Sequence, residues 1–162
     1  RDATCWDVRG VTYTERYQDT HIWLAKYRPF TENNKDAGFD NNLNYNNNYR
    51  YYRYAETLLN AAELSVRTGG GNAATYLNEV RTRAGLGNID ATIDNIIEER
   101  HLEFVGEGKR YWDLVRSGKA ASVLVPDQYG YRTNAWTESK KYIPIAQAEI
   151  DAAQGTLVQN NY

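Results

Sequence analysis

The densest run of ionisable side chains lies between Glu98 and Arg110: Glu98, Glu99, Arg100, His101, Glu103, Glu107 and Arg110. Paired carboxylates beside an imidazole can do general acid–base chemistry. On a helix, Glu99 shares a face with Glu103, and Glu103 with Glu107, at i,i+4 spacing, so the acids repel unless cations stand between them. The arginines nearby supply those cations. The expected use of the cluster is a structural ion-pair network of Glu99, Arg100, Glu103, Arg110 and Asp113 that fixes the third helix against the fourth. A glycosidase built on Glu99, Glu103 or Asp113 would need two carboxylates about 5–10 Å apart across a cleft. Acids already paired with arginines do not meet that need, so no catalytic residue is assigned.

Other chemistry finds less support. His21 and His101 are the only two histidines, and neither sits in a spaced ligand motif, so no metal site is expected. No nucleophile elbow surrounds Cys5 or any serine. The glycines at 69–71 and at 106 and 108 punctuate helices and do not follow a strand in a phosphate-loop pattern. No cofactor is expected.

Aromatic side chains are the stronger lead. Fourteen Tyr and four Trp stand against three Phe. Rings with a flat apolar face and a polar edge stack on sugars and peptides, and also fill ordinary cores. Trp6, Trp23, Tyr27, Phe39 and Tyr45 lie in the irregular first part, and Tyr129, Tyr131 and Trp136 in a loop near the end. Loops on a rigid scaffold are where binding residues concentrate. Trp6, Tyr131 and Trp136 are the candidate ligand contacts, with Asn134 as polar companion. Trp112, on a helix, is expected in the core.

Those residues need elements to hold them. The chain has 162 residues, 41% hydrophobic and 25% charged, a globular composition sufficient for a real core. A net charge of −2 leaves no cationic excess for a phosphate backbone, which argues against nucleic acid as a partner. The longest nearly apolar run, Ala120–Val125, is far short of the roughly 20 residues needed to cross a bilayer. One cysteine excludes an internal disulfide framework. The chain opens on Arg1, has no Met and shows no signal-peptide pattern, so processing or truncation upstream is expected.

Near-alternation of Cys5, Trp6, Val8 and Val11, followed by Ile22–Leu24, predicts a weak strand or two. Asn and Gly from Thr31 to Asn48 predict a long loop. Helical spacing then predicts helices over Tyr49–Val66, Ala73–Ala84, Ile93–Val105 and Arg110–Arg116, with Gly69–Gly71 as the first stop, Asn72 as an N-cap, and Asp90 or Thr92 capping the third. The first two form an αα-hairpin that resembles one tetratricopeptide-like unit. Pro144 favours an extended Tyr142–Ile145, and Ala146–Ala153 a short final helix. The fold class is mainly α. Residues 1–48 read as an irregular, loop-rich segment of a larger upstream domain, and 49–162 as a C-terminal helical domain.

Four segments in order carry a family resemblance: YRYAETLLNAAEL at Tyr52–Leu64, LNEVRTRAGLG at Leu77–Gly87, IIEERHLEFVGEGKRYWDLVRSGK at Ile96–Lys119, and KYIPIAQAEIDA at Lys141–Ala152 followed by QNNY at Gln159–Tyr162. Together they resemble the SusD/RagB family, surface lipoproteins of the Bacteroidetes outer membrane that bind nutrients, mostly glycans. Ala146 stands where the family often has a second proline, and Ala153-Gln154 where Asn-Pro is usual. The resemblance implies a non-catalytic glycan-binding protein that delivers substrate to a SusC-type TonB-dependent transporter. It implies a cell-surface location, held by a lipid anchor upstream of this chain, with Cys5 not the anchor. Peptide-binding relatives and a tetratricopeptide-like protein-interaction scaffold are the alternatives.

Overall fold

The computed structural model describes residues 5–7, 12–14, 17, 19–24, 26 and 48–160, with backbone only for 5–7. The predicted loop from Thr31 to Asn48 lies almost wholly outside them. Two compact units divide the chain, Arg1–Arg110 and Tyr111–Tyr162.

In the first unit, β1 (Cys5–Asp7) and β2 (Ile22–Leu24) pair antiparallel, Cys5 opposite Leu24, Trp6 opposite Trp23 and Asp7 opposite Ile22. Three helices follow: α1 (Tyr54–Thr68), α2 (Ala73–Arg83) and α3 (Ile93–Glu103). The short connection between α1 and α2 makes them an antiparallel hairpin. Gly69 at φ +74 lets α1 end abruptly, with the Gly70 N–H donating to the Ser65 carbonyl at 2.7 Å. Thr92, not Asp90, caps α3: its hydroxyl accepts from the Asn95 N–H at 3.1 Å. Asn72 stands at the N-cap of α2 without a side-chain cap bond among the described residues.

Leu58, Leu59 and Ala62 of α1, Leu77 and Val80 of α2, Ile96 of α3 and Phe104 beyond it form one buried cluster. Leu59, Leu77 and Ile96 are wholly buried; each such side chain contributes about 1.5–3 kcal/mol. Within α1 and α2 these positions recur at steps of one and three residues, the spacing of a single helix face. The start of α1 differs from the reading. It begins at Tyr54, not Tyr49, because Arg53 is extended (φ −142°, ψ 160°) with its guanidinium drawn to carboxylates elsewhere in the unit. Tyr49, Tyr51 and Tyr52 are left exposed.

Gly106 has φ +77, and a Cβ there would stand 2.6 Å from a methyl of Leu24. The backbone angle favours glycine, and a Cβ would also make the Leu24 side chain shift.

The second unit is built from α4 (Arg110–Arg116, whose first residue belongs to the first unit), α5 (Ala120–Val123), a 3₁₀ turn at Glu138–Lys141, and α6 (Gln147–Ala152). Its core is small: Leu114, Ala120 and Leu124, with Tyr111, Val115 and Trp136 packed around them. α5 was not predicted. Trp112 is not core; it is 47% exposed, because Asp113 and Leu114 take the inward positions of this short helix. The Tyr142–Ile145 segment begins extended, as Pro144 suggests, and is held by side-chain amides: Gln159 exchanges both bonds of a strand pair with Ile145 (3.0 and 2.9 Å), and Asn160 donates to the Ile143 carbonyl.

Candidate functional site

The charged cluster is placed by α1, α2 and the end of α3. Arg53, at the mouth of α1, is the hub. Its Nε and Nη2 donate to the two oxygens of Glu107 at 2.9 Å each, its Nη1 to Glu103 Oε1 at 2.7 Å and its Nη2 also to the Glu103 carbonyl at 2.9 Å. This fork–fork geometry is the strong form of an ion pair. Lys26, just past β2, ion-pairs with Glu107 and donates to the Glu103 carbonyl at 2.6 Å. The Glu107 side chain is 1% exposed. Burial alone would raise its carboxyl, but the donors and charges of Arg53 and Lys26 outweigh burial and hold it below the ordinary carboxylate range. Arg53 is raised correspondingly: burial lowers it, and Glu107 and Glu103 more than compensate.

The remaining predicted members take other partners. Glu103 also takes Arg83 of α2 at 2.6 Å. Glu99 takes Arg81 of α2 at 2.7 Å, so Arg81 is a buried carboxylate's partner and not a surface cation. Arg100 donates to Asn60 of α1 at 2.7 Å and lies 3.6 Å from Glu56. Arg53 and Arg100 both lie over the Phe104 ring, at 5.0 and 5.1 Å from its centroid. Asp113, buried in the second unit, takes Arg116 of its own helix at 2.7 Å. Arg110 is peripheral: its Nη2 is 3.9 Å from the exposed Glu98, and its buried Nη1 has no hydrogen-bond partner among the described residues. Of the network expected between the third and fourth helices, Glu99, Arg100 and Glu103 find their partners on α1, α2 and just past β2, and Asp113 on its own helix. Sequence reasoning missed Lys26, for which spacing carries no signal. Arg53 falls inside the first predicted helix, where spacing does not mark it as a hub.

These acids are occupied by cations, and among the described residues no group of three or more His, Cys, Asp or Glu is placed to hold a metal ion. A cleft of about 310 Å³ opens between α1 and α2, lined by Arg53, Tyr54, Ala55, Leu58, Glu79, Val80 and Arg83. It lies at the small end of ligand cavities.

The candidate aromatics fall in two places. Trp6 lies in β1 with Trp23 as its ladder partner; its side chain lies outside the described residues. Tyr131 and Asn134 are in the second unit, in and just after a turn over 127–132. The Asp127 carboxylate builds that turn by accepting from the N–H groups of Tyr129 (2.8 Å), Tyr131 (3.2 Å) and Arg132 (2.6 Å). Desolvation works against the charge, but those donors, with Gly130, prevail and hold the Asp127 carboxyl below its ordinary range. Tyr131, 47% exposed, lies beside Tyr129 with ring centroids 6.0 Å apart. The Asn134 side chain is exposed, its amide donating to Thr133. Trp136 is partly buried on the Leu114–Leu124 cluster, its Nε1 donating to the Tyr111 hydroxyl at 3.3 Å and that hydroxyl to the Lys140 carbonyl. The structure brings Tyr131 next to Tyr129, which the reading noted but did not choose.

A helical hairpin and a third helix braced to it by arginine–carboxylate pairs give the chain a mainly α, tetratricopeptide-like fold. The chain belongs to the SusD family, whose sequence pattern matches residues 4–162. It is similar to surface glycan-binding protein A from Bacteroides thetaiotaomicron, including its complex with laminarihexaose, at 63% identity and a TM-score of 0.91 over 99% of this chain and 38% of that one. It is similar to surface glycan-binding protein A from Bacteroides uniformis at 64% identity and a TM-score of 0.88, over 99% of this chain and 37% of that one. It is also 31% identical to SusD-like protein P2 of Formosa agariphila over 96% of this chain and 33% of that protein. The chain thus spans about a third of the length of the relatives it matches. Among the described residues no helix is long and apolar enough to cross a membrane.

Proposed function

We propose that this chain serves in a non-catalytic, cell-surface glycan receptor that captures oligosaccharide and hands it to a SusC-type TonB-dependent transporter in the outer membrane. Attachment through a lipid anchor outside these residues, and a boundary near residue 48 between an upstream domain and the helical domain, belong to the same proposal. The observation that carries it is the likeness, over nearly the whole chain, to a protein solved with laminarihexaose. The ion pairing supports a scaffold role: Glu99, Glu103 and Asp113 each already hold an arginine.

The proposed contacts in this chain are Trp6, Tyr131, Asn134 and Trp136. Tyr131 and Asn134 offer a ring face and an amide to solvent, which suit a sugar's apolar face and hydroxyls. Trp136 is the demanding case, because its ring also packs on the core of its unit. Isothermal titration of the full chain against laminarihexaose, other oligosaccharides and peptides tests the reading. Oligosaccharide binding is expected; binding of peptides alone would replace glycan by peptide as the cargo. In a Trp136→Ala chain, weaker glycan binding by roughly 1–3 kcal/mol at an unchanged melting temperature identifies a contact. Unchanged affinity with a lower melting temperature removes Trp136 from the set. Co-purification of a β-barrel transporter with the tagged protein tests the handover.

A further inference from the structure

We infer that the two-stranded ribbon of the first unit carries a sugar-binding platform made of Trp23, with Tyr13 and His21 as its polar side. The inference rests on the glycan-binding reading above and names a site within it that Tyr131, Asn134 and Trp136 do not include.

Three observations converge on it. First, the ribbon is anchored from one side. Leu24 lies directly against the Gly106 backbone, its methyl groups where a side chain at 106 would otherwise stand. Lys26 ties the end of β2 to Glu107 and to the Glu103 carbonyl. Successive side chains on a strand point to opposite faces, so with Leu24 turned onto Gly106, Trp23 is turned away from it. Trp23 is 44% exposed.

Second, the exposed indole has an ordered neighbourhood. Tyr13 stands edge-on to it, centroids 6.3 Å apart at 85°, and edge-on to His21, 5.8 Å apart at 74°. The Tyr13 hydroxyl and His21 Nδ1 share a hydrogen bond of 3.0 Å. A ring face beside a phenol and an imidazole matches a pyranose, which has an apolar C–H face and hydroxyls around its rim.

Third, His21 is held in a conformation that histidine adopts at a cost. Its φ is +58, in the left-handed region, with its N–H donated to the Asp19 carboxylate at 2.8 Å. Glycine would make this bend with less strain. Local strain of this kind points to a side chain that is being positioned, and the side chain positioned here is the imidazole bonded to Tyr13. A rigid, pre-set platform of this kind loses little freedom when ligand arrives.

The test is titration of the full chain with laminarihexaose. Trp23→Ala should bind about tenfold or more weakly, the loss of one ring's burial and stacking. His21→Gly should fold at least as well as the parent, since glycine relieves the left-handed strain, and should still bind several-fold more weakly. That variant keeps the proposal testable if Trp23→Ala fails to fold. A parent chain that binds laminarihexaose, with both folded variants matching its affinity, overturns the platform and leaves the glycan-binding reading intact. A parent chain that binds no oligosaccharide overturns both.

Discussion

In the first unit, buried carboxylates other than Glu63, which takes Arg67 one turn along α1, meet cations from distant parts of the chain. Glu107 takes Arg53 and Lys26, Glu99 takes Arg81, and Glu56 lies near Arg100 and Lys109. In the second unit the buried carboxylate Asp113 takes Arg116, one turn along its own helix, and the ends are tied by the amides of Gln159 and Asn160. The first arrangement makes each ion pair a test of correct tertiary placement, because a misplaced helix leaves a charge buried alone. The second asks only that a short helix form. A helical hairpin with a third helix can therefore be locked in one geometry, while the loop-rich unit relies on a thin apolar cluster and turn chemistry.

The largest effect expected from breaking this contrast is at Glu107. Glu107→Ala leaves Arg53 and Lys26 facing a buried void, and breaking a buried pair from one side costs about 3–5 kcal/mol. Chemical denaturation should show that loss. A cost near zero would mean the hub is not the brace it resembles. Next comes Leu114→Ala, which empties the centre of the small core in the second unit and should cost about 2–5 kcal/mol. If the two units unfold separately, its transition should shift while that of the first unit stays.

Acid sharpens the same contrast. The folded Glu107 carboxyl lies below its ordinary value of 4.5. A depressed folded value contributes stability that is complete above the unfolded value and is lost as pH falls through the folded one. The melting temperature should therefore decline as pH drops below about 4.5, and decline less steeply in Glu107→Gln. Equal slopes would assign the acid sensitivity elsewhere. Smaller still, Thr92→Ala removes the N-cap of α3 and should cost about 1 kcal/mol. Arg110→Ala, at a pair of 3.9 Å with an exposed carboxylate, should cost less than about 1 kcal/mol by thermal melting.

Much of the helical frame was legible because its signals are local. Thr92 ahead of Ile93, the glycines after α1, and inner faces spaced three and four apart mark α2, α3 and α4 almost to the residue. The start of α1 was not legible, since Tyr49–Arg53 continue the helical pattern and only the pull of Glu103 and Glu107 on Arg53, about fifty residues away, holds that residue extended. The acids of the network were found as a cluster, but their partners were not, because Arg81 and Lys26 reach them only through folding. Trp112 was misplaced by its hydrophobicity: on so short a helix, the ion pair to Arg116 lets Asp113 take the inward place. For the binding candidates, sequence pointed to loop aromatics. It had no means of seeing that Asp127 staples Tyr129 and Tyr131 into one turn, or that a left-handed His21 sits beside Tyr13 and Trp23.

Gly106 has a consequence for how this sequence can drift. Two independent features act there: a φ of +77 and Leu24 methyls 2.6 and 2.9 Å from any added Cβ. A second-site change such as Leu24→Ala can lift the crowding but not the backbone angle. Among suppressor pairs, Gly106→Asn with Leu24→Ala should therefore recover more readily than Gly106→Val with the same partner, because asparagine tolerates left-handed backbone and a β-branched residue does not. Saturation of position 106 in an otherwise unaltered gene should return glycine first and asparagine next, and the escape routes for other residues should run through position 24.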